Sequence, residues 1–582
     1  MKNKKLIKLL ILIIGISGFY ACSKSFLDQS PKGVLDETTL STEKGVGKIL
    51  LGAYAMLDVH DGAFGIGGQW GSGGSNFCFG SMAGGEANRG STPGDQGPNM
   101  TNCIRHDYAP LNQALEDKWI AVYEGIKRCN ITLEVLANVK TIVDADRKNL
   151  EGQAKFLRAW YHMQARIMFG KVPYIDETAD LALADGSILS VANDQDIFPQ
   201  IVADAKFAYE NLPDVQDAKG RVNRGAAGAF YGRVLLFTHD FATAKTVLQD
   251  VVTNGTTPLG VKYALNANYD DNFNVDFENS TETVFDFQSS SQDGAGANNA
   301  NWGDNLNTPA SIGGAGFFCP TYWFTNQFKT DVNGLPDLNP QNKIVLDPTG
   351  TDPVSGTAAG YTQYAGNVDT RLDWTVGRNG VPFHDWGTYL TTWQRDRSDG
   401  PFAGKKIMIR QSQIAATHDA SIWFSSGGTA LNIHLIRFSD VLLMLAEADI
   451  ETSDIQGGFD NINLVRARAQ GTRLVVFPAT LGTPVTKPYT TLFPSQDAAR
   501  AAMRLERLLE LGMEGQRFFD QVRWGTATAE LNAFYTYESS IPYTLNGDLI
   551  QPAVPVYTSD AKHDYYAIPQ KEIDLSHGLI KP

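Results

Sequence analysis

Six charged side chains crowd one stretch near the C-terminal end of this chain: Arg504, Glu506, Arg507, Glu510, Glu514 and Asp520. Carboxylates at such density invite acid–base chemistry, glycoside hydrolysis above all, which sets two carboxyl groups facing each other across a cleft at roughly 5 to 9.5 Å. Glu506, Glu510 and Glu514 recur every fourth residue, so they lie along one helix face, with Leu505, Leu508 and Leu509 on the buried side. One helix face does not make a cleft. The pattern predicts salt bridges to neighbouring helices, and the HExxH, GxSxG, GxxxxGKS/T and GxGxxG motifs are all missing from the sequence. Asp331, Asn333, Asp337 and Asn339 carry oxygens suited to calcium, but their spacing misses the EF-hand loop, and an Asx-stabilised turn accounts for them.

The ten tryptophans say more. Trp119, Trp160 and Trp524 fall in helical stretches and read as core, whereas seven others fall in irregular sequence. A large flat ring on a loop must bury a face, either in the fold or against a ligand. Sugar rings offer a C–H face that stacks on an aromatic ring, and their hydroxyls need amide, carboxylate or guanidinium partners. Trp302 (beside Asn301 and Asp304), Trp323 (beside Tyr322) and Trp386 (beside His384 and Asp385) are the candidates for such stacking. Packing beneath the loops is the alternative for each.

The elements that must hold these residues follow from periodicity. Leu150, Ala154, Leu157, Tyr161, Gln164 and Met168 form one helical stripe, and similar stripes run at 44–59, 113–138, 196–211, 223–238 and 241–253. The last two, with small residues at Ala226, Ala229, Ala242 and Ala244 around a turn at His239-Asp240, look like a tetratricopeptide hairpin. From 255 to 432 the composition turns to Gly, Asn, Asp, Ser, Thr and Trp, which predicts loops and short strands. Helices return at 436–451, 457–470 and 497–513. The architecture expected is mainly α, paired helices carrying a large irregular insertion, with a second excursion in the Gly-rich segment 62–98.

At the other end, Lys2, Lys4, Lys5 and Lys8 precede an apolar run from Leu9 to Ile16 and then Ala21-Cys22, the layout of a cleaved export signal. A cysteine at that point predicts a lipoprotein acylated on Cys22, with ordinary secretion as the alternative. Phe19 and Tyr20 stand where such signals usually carry Leu and a small residue. Without residues 1–21 the formal charge falls from −15 to −19, which argues against nucleic acid as a partner. Cys78, Cys103, Cys129 and Cys319 show no CxxC spacing, so zinc has no support; one disulfide, Cys78 with Cys103, or four buried thiols remain open.

Several longer motifs resemble the SusD/RagB family of outer-membrane nutrient-binding lipoproteins. They are Ile436-Arg437-Phe438-Ser439-Asp440 leading to Ala446-Glu447-Ala448, then Arg504-Leu505-Glu506-Arg507, Glu510-Leu511-Gly512-Met513-Glu514-Gly515-Gln516-Arg517-Phe518-Phe519-Asp520 and Arg523-Trp524-Gly525. Ala567-Ile568-Pro569-Gln570, Phe156-Leu157-Arg158-Ala159, Phe169-Gly170-Lys171-Val172-Pro173 and the start Cys22-Ser23 with Phe26-Leu27-Asp28 agree with it in order along the chain. The resemblance implies a SusD-like α/α superhelix with four tetratricopeptide-like helix pairs, an irregular ligand-facing region, and a SusC-like TonB-dependent transporter as partner. It also implies that the Gly-rich loop reaches the ligand through Glu86, Asn88, Arg89 and Asp95, and that Trp374, in Arg371-Leu372-Asp373-Trp374, belongs to the framework.

These readings divide the chain into a signal peptide (1–21), an N-terminal helical region (22–254), an irregular ligand-facing region (255–435) and a C-terminal helical region (436–582), the mature chain packing as one domain. The function expected is capture of an oligosaccharide or polysaccharide by a lipid-anchored protein facing the cell exterior, with delivery to the transporter and without catalysis or a cofactor. A peptide or other nutrient as cargo, an enzyme acting on polysaccharide, and an assembly factor that binds only protein are the competing readings. Cys22-Ser23-Lys24-Ser25 lacks the acidic cluster that often accompanies surface display.

Overall fold

Helix starts and stops are written in capping residues and small residues. The computed structural model describes residues 42–59, 68, 71, 73–92, 95, 97–179, 191–301, 303–336, 364–395, 399–421, 427–540, 543–545, 548–550, 557–558, 560 and 562–582. Cys22, Trp302, Asp337 and Asn339 lie outside the described residues. Thr42 opens α1 (Glu43–Tyr54) by accepting a hydrogen bond from the Gly45 N–H at 3.1 Å. Asn112 does the same for α2 (Gln113–Asn138) through the Ala114 N–H at 3.0 Å. The next helix, α3 (Asp144–Phe169), begins with Asp144 and Asp146, whose charges suit a helix N-terminus, and stops at Gly170 in a positive-φ conformation.

From α2 each helix packs on the next: α3, then α4 (Phe198–Asn211), α5 (Arg224–Phe237) and α6 (Phe241–Asn254). The α5–α6 pair is the hairpin its small residues predict. A Cβ added at Gly232 would sit 2.5 Å from the Leu248 side chain, so only glycine permits this approach. In turn α6 packs on α7 (Phe438–Glu451), which packs on α8 (Ile455–Gly471) and α9 (Gln496–Leu511). Three further helices follow among the described residues, α10 (Arg517–Arg523), α11 (Ala527–Ser539) and α12 (Gln570–Leu575). One continuous apolar cluster runs from Leu50 to Ile580.

The irregular stretch is held to this scaffold by short antiparallel ribbons. Strand β1 (Ala87–Gly90) pairs with β3 (Phe317–Pro320), Asn88 opposite Cys319 and Gly90 opposite Phe317. Strand β2 (Thr283–Phe287) pairs with β4 (Ile433–Arg437), and β4 runs straight into α7. The Asx turn expected at Asp331 is present, its carboxylate accepting from the N–H groups of Asn333 and Leu335. Cys78, Cys103, Cys129 and Cys319 are buried free thiols.

The salt bridges expected from the α9 carboxylates to a neighbouring helix are present, through Arg466 and Arg468 of α8, but the face that makes them is not a solvated one. The carboxylate face of α9 is buried as completely as its leucine face, with Glu506 and Glu510 at 0% exposure. The reason is a charge-balanced network drawn from distant segments. Glu510 accepts from Arg371 at 3.0 Å and pairs with Arg437 and Arg468. Glu506 bridges Arg371 and Arg466, Glu282 bridges Arg437 and Arg468, and Glu514 bridges Arg437 and Lys406. Asp369 completes it on Arg371. Arg371, Arg437, Arg466, Arg468 and Lys406 thus meet Asp369, Glu282, Glu506, Glu510 and Glu514, with equal numbers of each sign. Burial alone would raise the pKa of Glu510, but Arg468, Arg437 and Arg371 hold it well below the carboxylate range.

Candidate functional site

Strand β1 and the turn after it meet Arg395 and Asp399. The Asp399 carboxylate accepts from the Gly90 N–H at 2.8 Å, its backbone carbonyl accepts from Asn88 Nδ2 at 3.2 Å, and Arg89 stands 3.7 Å away. Arg89 is itself buried and spends its guanidinium on the carbonyls of Gly90 and Thr92 and on the Thr101 hydroxyl. It shapes the turn after β1. Asp95 accepts from Ser91 Oγ at 2.8 Å and faces Arg395 at 3.6 Å, both ends of that pair being partly exposed. Asn88, Arg89 and Asp95 therefore come together, with Arg395 and Asp399 as partners that no local signal in the sequence marks, since they lie some 300 residues away.

Glu86, next to that strand, points the other way. It is buried and accepts from the Met513 N–H at 2.9 Å, and burial pushes its pKa up to about 7 against the hydrogen bonds from Ser81 and Met513. It ties the Gly-rich segment to the end of α9 and offers nothing to a ligand from outside.

The aromatic candidates divide. Tyr322 and Trp323 sit on a single helical turn, Tyr322–Asn326, sealed into the core. Trp323 meets Phe534 edge-on at 5.9 Å and lies under the Arg517 guanidinium, while its backbone N–H donates to Glu538. The ring is buried between these partners. The expectation of a loop residue there fails because Thr321 caps the turn through the Phe324 N–H, a local signal four residues long. Trp374 is buried, with its indole N–H on the Arg473 carbonyl at 2.8 Å.

Trp386 is different. It is half-buried on a small cluster of Phe383, Tyr389, Ala403 and Met408, anchored by its indole N–H to the Ile409 carbonyl at 3.0 Å. Trp393, not singled out from the sequence, packs on the same cluster, 5.9 Å from Phe383 and 5.5 Å from Tyr389, and is also half-buried. Asp385 does not face outward unoccupied: its two oxygens accept the N–H groups of Gln411 and Ser412. Burial works against its charge, but the Ser412 and Gln411 hydrogen bonds outweigh it and hold the carboxyl below its ordinary range. Two half-buried indoles thus rest on one apolar cluster, and Arg395, two residues beyond Trp393, pairs with Asp95. Among the described residues no group of three or more His, Cys, Asp or Glu side chains is arranged to hold a metal ion, and no helix is long and apolar enough to cross a membrane.

A scaffold of paired α-helices carrying an irregular polar–aromatic lobe defines a recognisable architectural class, and the comparisons fix its lineage. Residues 281–581 match the SusD family, and residues 80–236 match a family described as starch-binding and associating with the outer membrane. The chain belongs to the SusD family. It is 21% identical over 529 residues to a SusD-like protein of Bacteroides ovatus, spanning 89% of this chain and 82% of that one. Its fold is similar to that of a SusD-like carbohydrate-binding protein from Bacteroides fragilis (TM-score 0.67, 20% identity, 93% of this chain and 99% of that one). It is similar also to surface glycan-binding protein A from Bacteroides thetaiotaomicron, solved with laminarihexaose (TM-score 0.63, 20% identity, 92% and 98%).

Proposed function

We propose that this protein captures an oligosaccharide at the outer membrane, anchored by lipid on Cys22 and facing outward, and passes it to a SusC-like TonB-dependent transporter. The observation that carries the reading is the match in fold, over nine-tenths of the chain, to a surface protein solved with a bound glucan. The half-exposed pair Trp386 and Trp393 supports it, because a rigid indole platform lets a sugar ring stack without ordering the protein further. Asn88, Asp95 and Arg395 supply polar groups beside it, with Trp302 as a further stacking candidate.

Binding without chemistry is the reading the charged residues support. Glu506, Glu510 and Glu514 are consumed by guanidinium and ammonium partners, so none is placed to protonate a glycosidic oxygen. A glycan array followed by a time course on each ligand found tests this. Retention of a glycan with no growth in reducing ends is expected. An array without ligands, or steady release of reducing ends, overturns the proposal. Co-purification of a large β-barrel from native membranes tests the transporter partnership.

A further inference from the structure

A groove of about 490 Å³ lies where the C-terminal end of α3 meets the last residues of the chain, among Tyr108, Gly170, Lys171, Asn193, Lys562 and Tyr565. It shares Arg166 and Tyr565 with an adjoining hollow of about 240 Å³. No Asp or Glu lines either, in a protein whose formal charge is −15, although Pro582, the last residue of the sequence, also lines the larger one. Four cations line the larger one: Arg166, Lys171, Lys562 and Lys581.

The lysine side chains are exposed, but the main chains that carry two of them are clamped together. Asn193, which is buried, donates through Nδ2 to the carbonyls of Lys171 at 3.1 Å and Lys581 at 2.8 Å, and accepts from the Lys581 N–H at 2.9 Å. One amide thus fixes two lysine main chains side by side. Neither lysine, nor Lys562, forms an ion pair among the described residues, and Arg166 pairs there with the exposed Asp196, its guanidinium also meeting the Tyr565 hydroxyl and the Phe198 ring. Lys171 gains from standing beyond the α3 C-terminus, but Lys562 and Lys581 belong to no helix end of that kind. The wall is aromatic. The half-buried Tyr565 ring is flanked by the Arg166 guanidinium at 5.5 Å and by Gly170, where an added Cβ would meet the ring at 3.1 Å.

We propose that this groove is a second saccharide site, selective for an anionic sugar bearing carboxylate or sulfate groups, which the lysines pair with while the sugar lies against the edge of Tyr565, whose faces Arg166 and Gly170 cover. The inference rests on the glycan-binding reading above but concerns a separate surface. A concave groove of this size suits two or three sugar units, whereas a protein partner needs a broader face.

The test is calorimetric titration of the full chain in mild detergent with four probes: trigalacturonate, a sulfated galactose disaccharide, inorganic sulfate and an octaglutamate peptide. At least one charged saccharide should bind below about 1 mM and weaken as salt is raised from about 0.05 to 0.5 M. Lys171→Gln combined with Lys581→Gln should weaken it at least about tenfold, and Trp386→Ala should leave it unchanged. Both lysines are exposed, so the double variant keeps its fold. The proposal is overturned if neither saccharide binds, if the double variant binds as well as wild type, or if sulfate or octaglutamate binds as tightly as the saccharides. Titration with neutral laminarihexaose, compared between wild type and Trp386→Ala, reports on the glycan reading independently.

Discussion

Glu510→Gln replaces one buried carboxylate by an isosteric amide and leaves the network with five cations facing four anions. Arg371, Arg437 and Arg468 all direct N–H groups at Glu510, and each of the four residues is essentially inaccessible to water. An amide returns one acceptor oxygen but turns an NH2 group toward a guanidinium, so a donor faces a donor. Removing one partner of a buried ion pair costs about 3 to 5 kcal/mol, because the surviving charge stays desolvated. The variant should lose that much in urea unfolding followed by tryptophan fluorescence. A second substitution separates charge imbalance from lost packing. Arg468→Met with Glu510→Gln restores equal numbers, so the double variant should be less destabilised than the sum of the single ones by about 1 kcal/mol or more. Strict additivity, or a cost below about 1 kcal/mol for Glu510→Gln alone, would refute the reasoning.

Other expectations follow from the same geometry. Trp323→Ala empties a core site and should cost about 3 to 5 kcal/mol of stability. Trp386→Ala should melt near wild type and lose about 1 to 3 kcal/mol of glycan affinity, measured by titration; the reverse pattern would exchange the roles assigned to these rings. Glu86, with its pKa pushed up to about 7, holds its proton more tightly folded than unfolded. Its contribution is therefore complete below about pH 4 and fades as pH rises through 7, amounting to about 2 kcal/mol between pH 5.5 and 8. Glu86→Gln should remove that share of the pH dependence in chemical denaturation run at both values. Gly232→Val, which forces a side chain into Leu248, should destabilise by about 1 to 3 kcal/mol in the same assay. Cys22→Ala should release the protein from membranes, read by fractionation.

Much of the scaffold was legible because helices report themselves locally. The stripe at 113–138 reappears as Gln113–Asn138, and 241–253 as Phe241–Asn254. Burial of charge was not legible. Four-residue spacing places Glu506, Glu510 and Glu514 on one face, but the cations that draw this face inward come from positions 371, 406, 437, 466 and 468. The candidate site was legible only by residue type. Trp323 and Trp386 look alike in sequence, each an indole in irregular surroundings, and only the partners supplied by α11 and by the 401–409 segment distinguish a sealed ring from a half-open one.

The contact between Asn88 and Asp399 closes a loop of 311 residues. For a flexible chain, an ordering penalty of (3/2)RT ln n reaches about 5 kcal/mol at that length, more than a hydrogen bond between polar groups returns. The pair cannot be an early event. It forms after the helices and the β1–β3 ribbon have drawn the two segments together, so this polar contact is made late on the folding route. A chain in which these two segments are still apart has no finished face to offer. On the proposed reading, ligand binding is thereby timed to the completed fold.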